Sequence, residues 1–218
     1  MQITLKNSEN NLIVKNQLED DRRSLANFLS ILDKTMIEEI EIVDCKDAKL
    51  PRNIQRFENL NSLKLIRCHA LTGMSPELGN LPALRELGFI RCADFHDLKG
   101  IEKCQNLKVL HVSGCECFDE VPEALERLNF LRALDLSYSE NIHWIDLSRL
   151  PKSLRLLDMH GCWQGDFSPE DTQNLRLVSL QIQDMSRDID WDNEPTIPDI
   201  CTQLRHTLAL RNGYALDT

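Results

Sequence analysis

The sequence lacks most of the short motifs that mark enzymes. It has only eight glycines in 218 residues, and they form no phosphate-binding loop. A G-x-S-x-G nucleophile elbow, an H-E-x-x-H zinc motif and an EF-hand ladder of acids are also missing. No apolar run reaches the ~18 residues of a membrane-spanning helix. We therefore predict a non-enzymatic protein that needs no cofactor, binds no metal and does not enter a membrane.

Cysteine, by contrast, is abundant, with eight residues. The sequence has no C-x-x-C pair, and the lone C-x-C of Cys115 and Cys117 is a poor zinc signature. The opening MQITLKNSENN has no apolar core and no cleavage site, so we expect no standard secretory signal. We therefore expect reduced thiols in a cytoplasmic protein, or in one delivered into a host cell by a route that reads no such signal.

The charge balance is acidic. There are 25 Lys and Arg against 35 Asp and Glu, a formal net charge of −10. Nucleic acids and anionic membranes attract clustered cations, so this balance argues against both as general partners. Hydrophobic residues make up 42% of the chain, which is typical of a folded protein. We expect a monomer.

The chain repeats itself seven times. Each unit follows L-x-x-L-x-L-x-x-C with aliphatic substitutes. The L-x-L of each unit predicts a short strand whose alternate side chains enter a shared core. One repeat cannot bury its apolar side alone, so the units are expected to stack into an array. The first apolar residues lie 23 or 24 positions apart, at Ile37, Leu60, Leu84, Leu107, Leu131, Leu154 and Leu177.

The second half of several units is also patterned. L-P-x-x-I-x-x-F at 50–57 and V-P-x-x-L-x-x-L at 121–128 predict short helical segments that begin near a proline. Over roughly residues 36–190, both half-patterns resemble the leucine-rich repeat family, in the form found in plant disease-resistance receptors and some bacterial effectors. The resemblance implies an α/β horseshoe solenoid with a parallel sheet on its concave face and short helices or turns on its convex face. The third, fifth and sixth units lack the proline, so we expect irregular convex segments there.

Both ends of the array are predicted to be caps, which solenoids need for solubility. Alternating apolar residues within 3–14 predict a β-hairpin, and helical spacing within 18–34 predicts a helix. An alternative is that one cap helix is a docking element that enters a partner's groove. The predicted division is an N-terminal cap at 1–35, about seven repeats at 36–190, and a C-terminal cap helix and tail at 191–218.

Five cysteines occupy one slot of the repeat. The resemblance implies that this slot points inward and hydrogen-bonds the backbone that turns away from the strand, a role that suits a small thiol. Rungs about 4.8 Å apart would also allow disulfides on distance alone, but the expected compartment favours thiols. The slot holds Cys45, Cys68, Cys92, Cys115 and Cys162, with Ser139 in the fifth unit.

The outward-facing positions predict a protein-binding surface. A basic row occupies the first variable position of four consecutive units, at Arg85, Lys108, Arg132 and Arg155. An exposed apolar strip (Val43, Ile66, Ile90) beside Arg and Tyr has the composition of an interface. We predict that the concave face binds a protein partner through Val43, Ile66, Arg67, Ile90, Arg91, Lys108, His111, Arg132, Asp135, Tyr138, Arg155, Asp158 and His160.

An acidic protein segment fits the basic row better than nucleic acid does, because no aromatic residues stand in register to stack bases. By resemblance, the setting is a host-directed bacterial effector or an immune or signalling protein. The alternative is a substrate-recognition subunit of a ubiquitin-ligase or other signalling enzyme complex.

One pair of acids invites an enzymatic interpretation. Asp135 and Asp158 occupy the middle position of consecutive strands, where their carboxylates could approach the ~5–5.5 Å of a retaining glycosidase pair. The alternative is that both are solvated carboxylates on an open sheet, with no pocket to shift a pKa. We favour the second interpretation and predict no catalytic residue.

Overall fold

A nine-stranded sheet forms the body of the molecule. The computed structural model describes residues 1–6, 12–17, 25–142, 145, 149–159, 162 and 179–181. The strands lie side by side in the order β2-β1-β3-β4-β5-β6-β7-β8-β9. Their bounds are β1 Gln2–Lys6, β2 Leu12–Gln17, β3 Glu39–Val43, β4 Ser62–Ile66, β5 Glu86–Ile90, β6 Val109–Ser113, β7 Ala133–Asp135, β8 Leu156–Asp158 and β9 Ser179–Gln181.

Strands β3 to β9 are parallel, and each pairs with the strand of the next repeat. The register matches the 23–24-residue period of the sequence, because each strand residue pairs with the residue that holds the same position one unit later. The predicted α/β solenoid with a parallel sheet is therefore confirmed. The paired column runs through Ile40, Leu63, Leu87, Leu110, Leu134, Leu157 and Leu180.

The core lies between this sheet and the opposite, convex side. Alternate residues of β3 to β6 point inward and are buried, and the residues between them face the concave side. Near the middle, Phe89 of β5 stacks on Phe95 with ring centroids 4.0 Å apart. Phe118 continues the stack at 6.3 Å from Phe95. All three rings are fully buried, so they form an aromatic spine that joins consecutive repeats.

The convex side carries short 3-10 helices. Three residues per turn suit the apolar spacing there, which places Ile54, Leu78 and Leu125 into the core. The segment of the third repeat, which lacks the proline, is shortened to three residues, in agreement with the expected irregularity. The helices span Arg52–Arg56, Pro76–Asn80, Ile101–Lys103 and Glu123–Arg127.

An antiparallel hairpin extends the sheet at its N-terminal end. β1 pairs antiparallel with both β2 and β3. A short helix, α1 (Leu25–Ser30), buries Leu25 and Phe28 against the first repeat. Asn53 donates a hydrogen bond of 2.7 Å from its side chain to the carbonyl of Ala26, which fixes the helix to the first convex segment. These contacts fit a capping role, and the division at residues 35 and 190 remains a prediction.

The C-terminal cap helix expected at 191–218 lies outside the described residues, as do residues 18–24 of the N-terminal helix prediction. Among the helices of the described part, none combines the length and the apolar content needed to cross a bilayer.

The cysteine slot behaves as the resemblance implies. From the second to the sixth repeat, the thiol or hydroxyl points inward and donates to a backbone carbonyl of the preceding repeat, at 3.3 Å from Cys115 to Phe89 and 2.9 Å from Ser139 to Val112. The Cys45 thiol of the first repeat instead donates to the Asp47 carboxylate, at 3.7 Å. The seven described cysteines are free thiols. Burial raises the pKa of Cys115 to about 12 and that of Cys162 to about 11, so both stay protonated and unreactive near neutral pH.

A left-handed residue ends the strand segment of each repeat from the first to the fifth. These residues have φ between 52° and 61°. From the first to the fourth repeat, their N–H groups donate to the next repeat, as in the 2.9 Å bond from Asp44 to the carbonyl of Ile66. A non-glycine residue costs on the order of 1 kcal/mol in this conformation, which the repeated hydrogen bond holds in place. The column is Asp44, Arg67, Arg91, Gly114 and Tyr138.

Gly114 should tolerate alanine poorly although its neighbours in this column carry side chains. A Cβ atom there would lie 3.1 Å from Cγ of Arg91, in addition to the strain of φ 61°. We expect Gly114→Ala to lower the free energy of unfolding by about 1 kcal/mol in urea denaturation. Glu140→Ala, at an exposed position, is the control and should change it by less than about 0.5 kcal/mol. If Gly114→Ala were as stable as Glu140→Ala, a side chain at position 114 would cause neither a clash with Arg91 nor backbone strain.

Candidate functional site

A continuous chain of polar side chains crosses the concave face over four repeats. Lys64 Nζ lies 2.8 Å from Glu86 Oε1, and the Ser62 hydroxyl donates to Glu86 Oε2 at 2.7 Å. His111 contacts Glu86 through Nε2 at 3.4 Å and Asp135 through Nδ1 at 3.0 Å. We call Ser62, Lys64, Glu86, His111, Asp135 and Ser137 the polar chain.

Gly88 makes room for this arrangement. It occupies the middle position of β5, where the neighbouring strands carry Lys64 and His111. A Cβ atom at Gly88 would lie 3.3 Å from Cγ of Lys64 and 3.7 Å from Cβ of His111. Since glycine leaves that space open, the Lys64 and His111 side chains both reach Glu86 from opposite sides.

The polar chain fixes the charges of its members. Burial alone would lower the pKa of His111, but its hydrogen bonds to Asp135 and Glu86 outweigh burial and raise the pKa to about 9. Burial raises the pKa of Glu86, yet hydrogen bonds from His111, Lys64 and Ser62 bring it down to about 2. At neutral pH, therefore, an imidazolium lies between two carboxylates. The His111 side chain is only 26% exposed, so solvent screens these contacts weakly.

Asp135 and Asp158 are not the solvated carboxylates expected from the sequence. Asp135 accepts hydrogen bonds from the backbone N–H and the hydroxyl of Ser137 at 3.0 and 2.6 Å, and its side chain is 24% exposed. Asp158 lies opposite it on β8 and is 5% exposed. Burial raises the pKa of Asp135, but bonds to His111 and Ser137 lower it overall. A lowered pKa does not suit the general acid of a glycosidase pair. The carboxylate of Asp135 is already bound by His111 and Ser137, which makes it a connecting member of the polar chain.

The basic row is contiguous in the structure. The backbone N–H of Lys108 donates to the carbonyl of Arg85, that of Arg132 to Lys108, and that of Arg155 to Arg132, all at 2.7–2.8 Å. Four cations therefore stand on consecutive rungs, at about 4.8 Å per rung. Arg85 and Lys108 are exposed, whereas Arg132 and Arg155 are half-buried. The repeat pattern predicts equivalent positions for these residues, and the backbone ladder brings them together.

The apolar strip is smaller than expected. Val43 is 7% exposed because β1 adds a strand beside it, with Gln2 opposite Val43. The expectation that Val43 offers apolar surface is wrong for this reason. Ile66 and Ile90 are half-buried and remain on the concave side.

The remaining predicted residues lie at the strand ends. Arg67 forms a two-pronged ion pair with Asp44, at 2.8 and 3.0 Å. Arg91 and Tyr138 are exposed in the same left-handed column. His160 lies outside the described residues.

Sequence reasoning missed several residues of this surface, among them Glu86 and Phe130. Glu86 begins β5 and meets the middle column through Lys64 of β4 and His111 of β6. Phe130 is 59% exposed beside the basic row. The sequence does contain a signal for Phe130. In other repeats the residue directly before the first leucine is small or polar (Asn59, Ala83, Asn106 and Ser153), so a phenylalanine at this position is unusual.

Residues 2–92 match a family model described as R13L1/DRL21 LRRs. The match begins in the hairpin and ends at Cys92, at the close of the third strand segment. It agrees with the repeat register of the parallel sheet and confirms the resemblance. The fold is a leucine-rich-repeat solenoid. No curated protein matches the sequence.

Two solved structures show what the solenoid is similar to. A leucine-rich-repeat protein of Leptospira interrogans has 17% identity and a TM-score of 0.42, over 73% of this chain and 45% of its own. The leucine-rich repeat domain of the type III effector XopL has 21% identity and a TM-score of 0.40, over 63% of this chain and 65% of its own. This chain thus spans less than two thirds of either protein chain, and neither similarity bears on activity or partner.

Solenoids of this type are generally protein-binding modules that use their extended surfaces. Within the described ranges, no group of three or more His, Cys, Asp or Glu residues is placed to hold a metal ion.

Proposed function

We propose that this solenoid is a non-enzymatic recognition module that binds an acidic segment of a protein partner along the basic row and the adjoining concave face. The observation that carries the proposal is the backbone ladder from Arg85 to Arg155, which holds four cations on consecutive rungs. The chain as a whole has a net charge of −10, so this concentration of positive charge is local.

Electrostatics favours such a partner. The four side chains start from rungs about 4.8 Å apart, so partner carboxylates laid along the row would meet several cations within a short distance. A basic row on an acidic protein also restricts the orientation in which an acidic segment can approach, which gives specificity and a faster association rate. Exposed charges are screened by salt, so the proposed complex should weaken as ionic strength rises.

The polar chain and the left-handed column complete the proposed surface. Ile66, Ile90 and Tyr138 supply apolar contact, and Arg91 supplies a further cation. His111 and Asp135 supply polar groups in fixed positions, because their side chains already bind each other. Buried Val43 and Asp158 contribute support rather than contact.

The test is affinity capture with charge-reversed protein. Immobilised wild type and Arg85→Glu/Lys108→Glu are exposed to the same cell extract, and bound proteins are quantified by mass spectrometry. We expect the amount of at least one captured partner to be about tenfold or more lower on Arg85→Glu/Lys108→Glu than on wild type, because two attractive contacts become repulsive. Lys34→Glu/Arg127→Glu makes the same charge change at exposed positions away from the row and should retain the partner.

Thermal denaturation of all three proteins separates lost binding from lost folding. If every protein captured by the wild type binds equally to the charge-reversed row, the proposal is wrong. The cytoplasmic or host-delivered setting, and the effector, immune or signalling role, remain predictions from the sequence.

A further inference from the structure

We propose that a pocket beside Phe130 anchors one large apolar side chain of the acidic segment, so that the module recognises acids followed by an apolar residue rather than charge alone. This inference rests on the proposed function and adds a specificity site to it. The pocket lies between the fifth and sixth repeats, at the end of the basic row.

The pocket is built by two repeats held rigidly together. Its volume is about 210 Å³, and Phe130, Ser153 and Leu154 are among the residues that line it. The Ser153 hydroxyl donates to the carbonyls of Leu128 and Leu131 at 3.2 and 2.8 Å, which ties the sixth repeat to the fifth. Ligand clefts for drug-sized molecules measure roughly 300–1,000 Å³, so this pocket fits a single side chain.

Its chemistry is both apolar and cationic. The exposed Phe130 ring supplies an apolar surface, and Arg132, Lys152 and Arg155 are the cations among the lining residues. None of the described lining residues is acidic. An apolar side chain flanked by carboxylates satisfies both features, whereas a purely apolar peptide offers the cations no carboxylate and a basic peptide is repelled by them.

The dimensions also fit an extended peptide. The basic row spans three rung intervals, about 14 Å. An extended chain advances about 6.7 Å per two residues, so alternate side chains on one face of a five-residue stretch span nearly the same length. A segment laid along the row would place alternate carboxylates near the cations and deliver its next apolar side chain to the pocket at the Arg155 end.

A display selection from random peptides tests the proposal. Random decapeptides are selected in parallel on wild type, Phe130→Ser and Ile31→Ser. Ile31 is the matched control because it is an exposed apolar residue, 78% accessible, that directly follows α1 and lies outside the repeats. We expect acids to be enriched on all three proteins, and a large apolar residue beside the acids to be enriched on wild type and Ile31→Ser only.

Direct titration makes the test quantitative. A fluorescein-labelled peptide from the wild-type selection is compared with a version whose apolar residue is replaced by serine. The replacement should weaken binding about tenfold on wild type and about equally on Ile31→Ser, because a buried apolar side chain is lost. On Phe130→Ser it should change the dissociation constant by less than about twofold, since the pocket wall is already gone.

The outcomes separate the two proposals. Selection without acid enrichment would contradict the acidic-segment function itself. If acids are enriched without any apolar residue, the acidic-segment function stands and the pocket proposal is wrong. The same holds if Phe130→Ser selects the same apolar residue as wild type. Circular dichroism of the three proteins shows that the comparison is between folded forms.

Discussion

Replacing Phe95 with alanine is expected to lower the free energy of unfolding by about 3–5 kcal/mol. The ring is fully buried and lies in the middle of the aromatic spine, stacked on Phe89 and continued by Phe118. Its removal leaves a cavity between two repeats and ends both ring contacts at once. In a solenoid each repeat is stabilised by its neighbours, so this loss weakens the array at its centre.

Denaturation in guanidinium, followed by circular dichroism, measures the effect. Phe130→Ala is the matched control, because the same chemical change is made at an exposed ring and should cost less than about 0.5 kcal/mol. A loss below about 1 kcal/mol at Phe95 would show that the spine does not hold the repeats together. A second transition in the Phe95→Ala curve would indicate that the two halves of the array unfold separately.

The second large effect is a loss of stability as the pH rises, centred on His111. Its pKa is raised from 6.5 to about 9 in the folded state, because Asp135 and Glu86 hold the imidazolium against the effect of burial. A group with a raised folded pKa stabilises the protein fully below its unfolded pKa and loses that contribution as the pH passes the folded pKa. The stabilisation is therefore present below about pH 6.5 and disappears between there and about pH 9.

The size of the effect follows from the two pKa values. Their difference corresponds to roughly 3 kcal/mol, with less expected because the ring is partly exposed. We expect His111→Gln to be less stable than wild type by about 2–3 kcal/mol at pH 6, and the gap to close towards pH 9. Urea denaturation across this range gives the difference curve, in which the titration of the thiols cancels.

His69→Gln makes the same substitution at an exposed position and is the control for the chemical change itself. A gap between wild type and His111→Gln that stays constant with pH would mean that His111 is neutral in the folded protein. The contacts with Glu86 and Asp135 would then be ordinary hydrogen bonds.

Periodicity was enough to predict the parallel strands and their register. The interval of 23–24 residues determines which residues pair, and the paired columns from Ile40 to Leu180 follow it without a slip. The basic row followed from the same counting, since residues at one position of a repeat must stack. The inward hydrogen bonds of the cysteine slot followed from the resemblance, because that slot has one role throughout the family.

The polar chain could not be predicted in the same way. It depends on side chains that leave their own columns, because Glu86 of β5 contacts Lys64 of β4 and His111 of β6 beside the space that Gly88 leaves open. Such contacts are determined by rotamers and by local gaps, which periodic patterns do not record. The burial of Val43 was missed for another reason, since the hairpin strand that flanks it lies outside the repeat pattern.

In the left-handed column, the backbone conformation does not depend on which side chain is present. Aspartate, arginine and glycine adopt the same turn in the first four units, where a hydrogen bond from the main chain to the next repeat holds it, and tyrosine adopts it in the fifth. At the four non-glycine positions, substitutions can therefore change charge, size and aromaticity at a similar conformational cost, whereas Gly114 is restricted by its contact with Arg91. These four positions lie along one edge of the solenoid, and new binding specificities could evolve or be engineered there without redesign of the core.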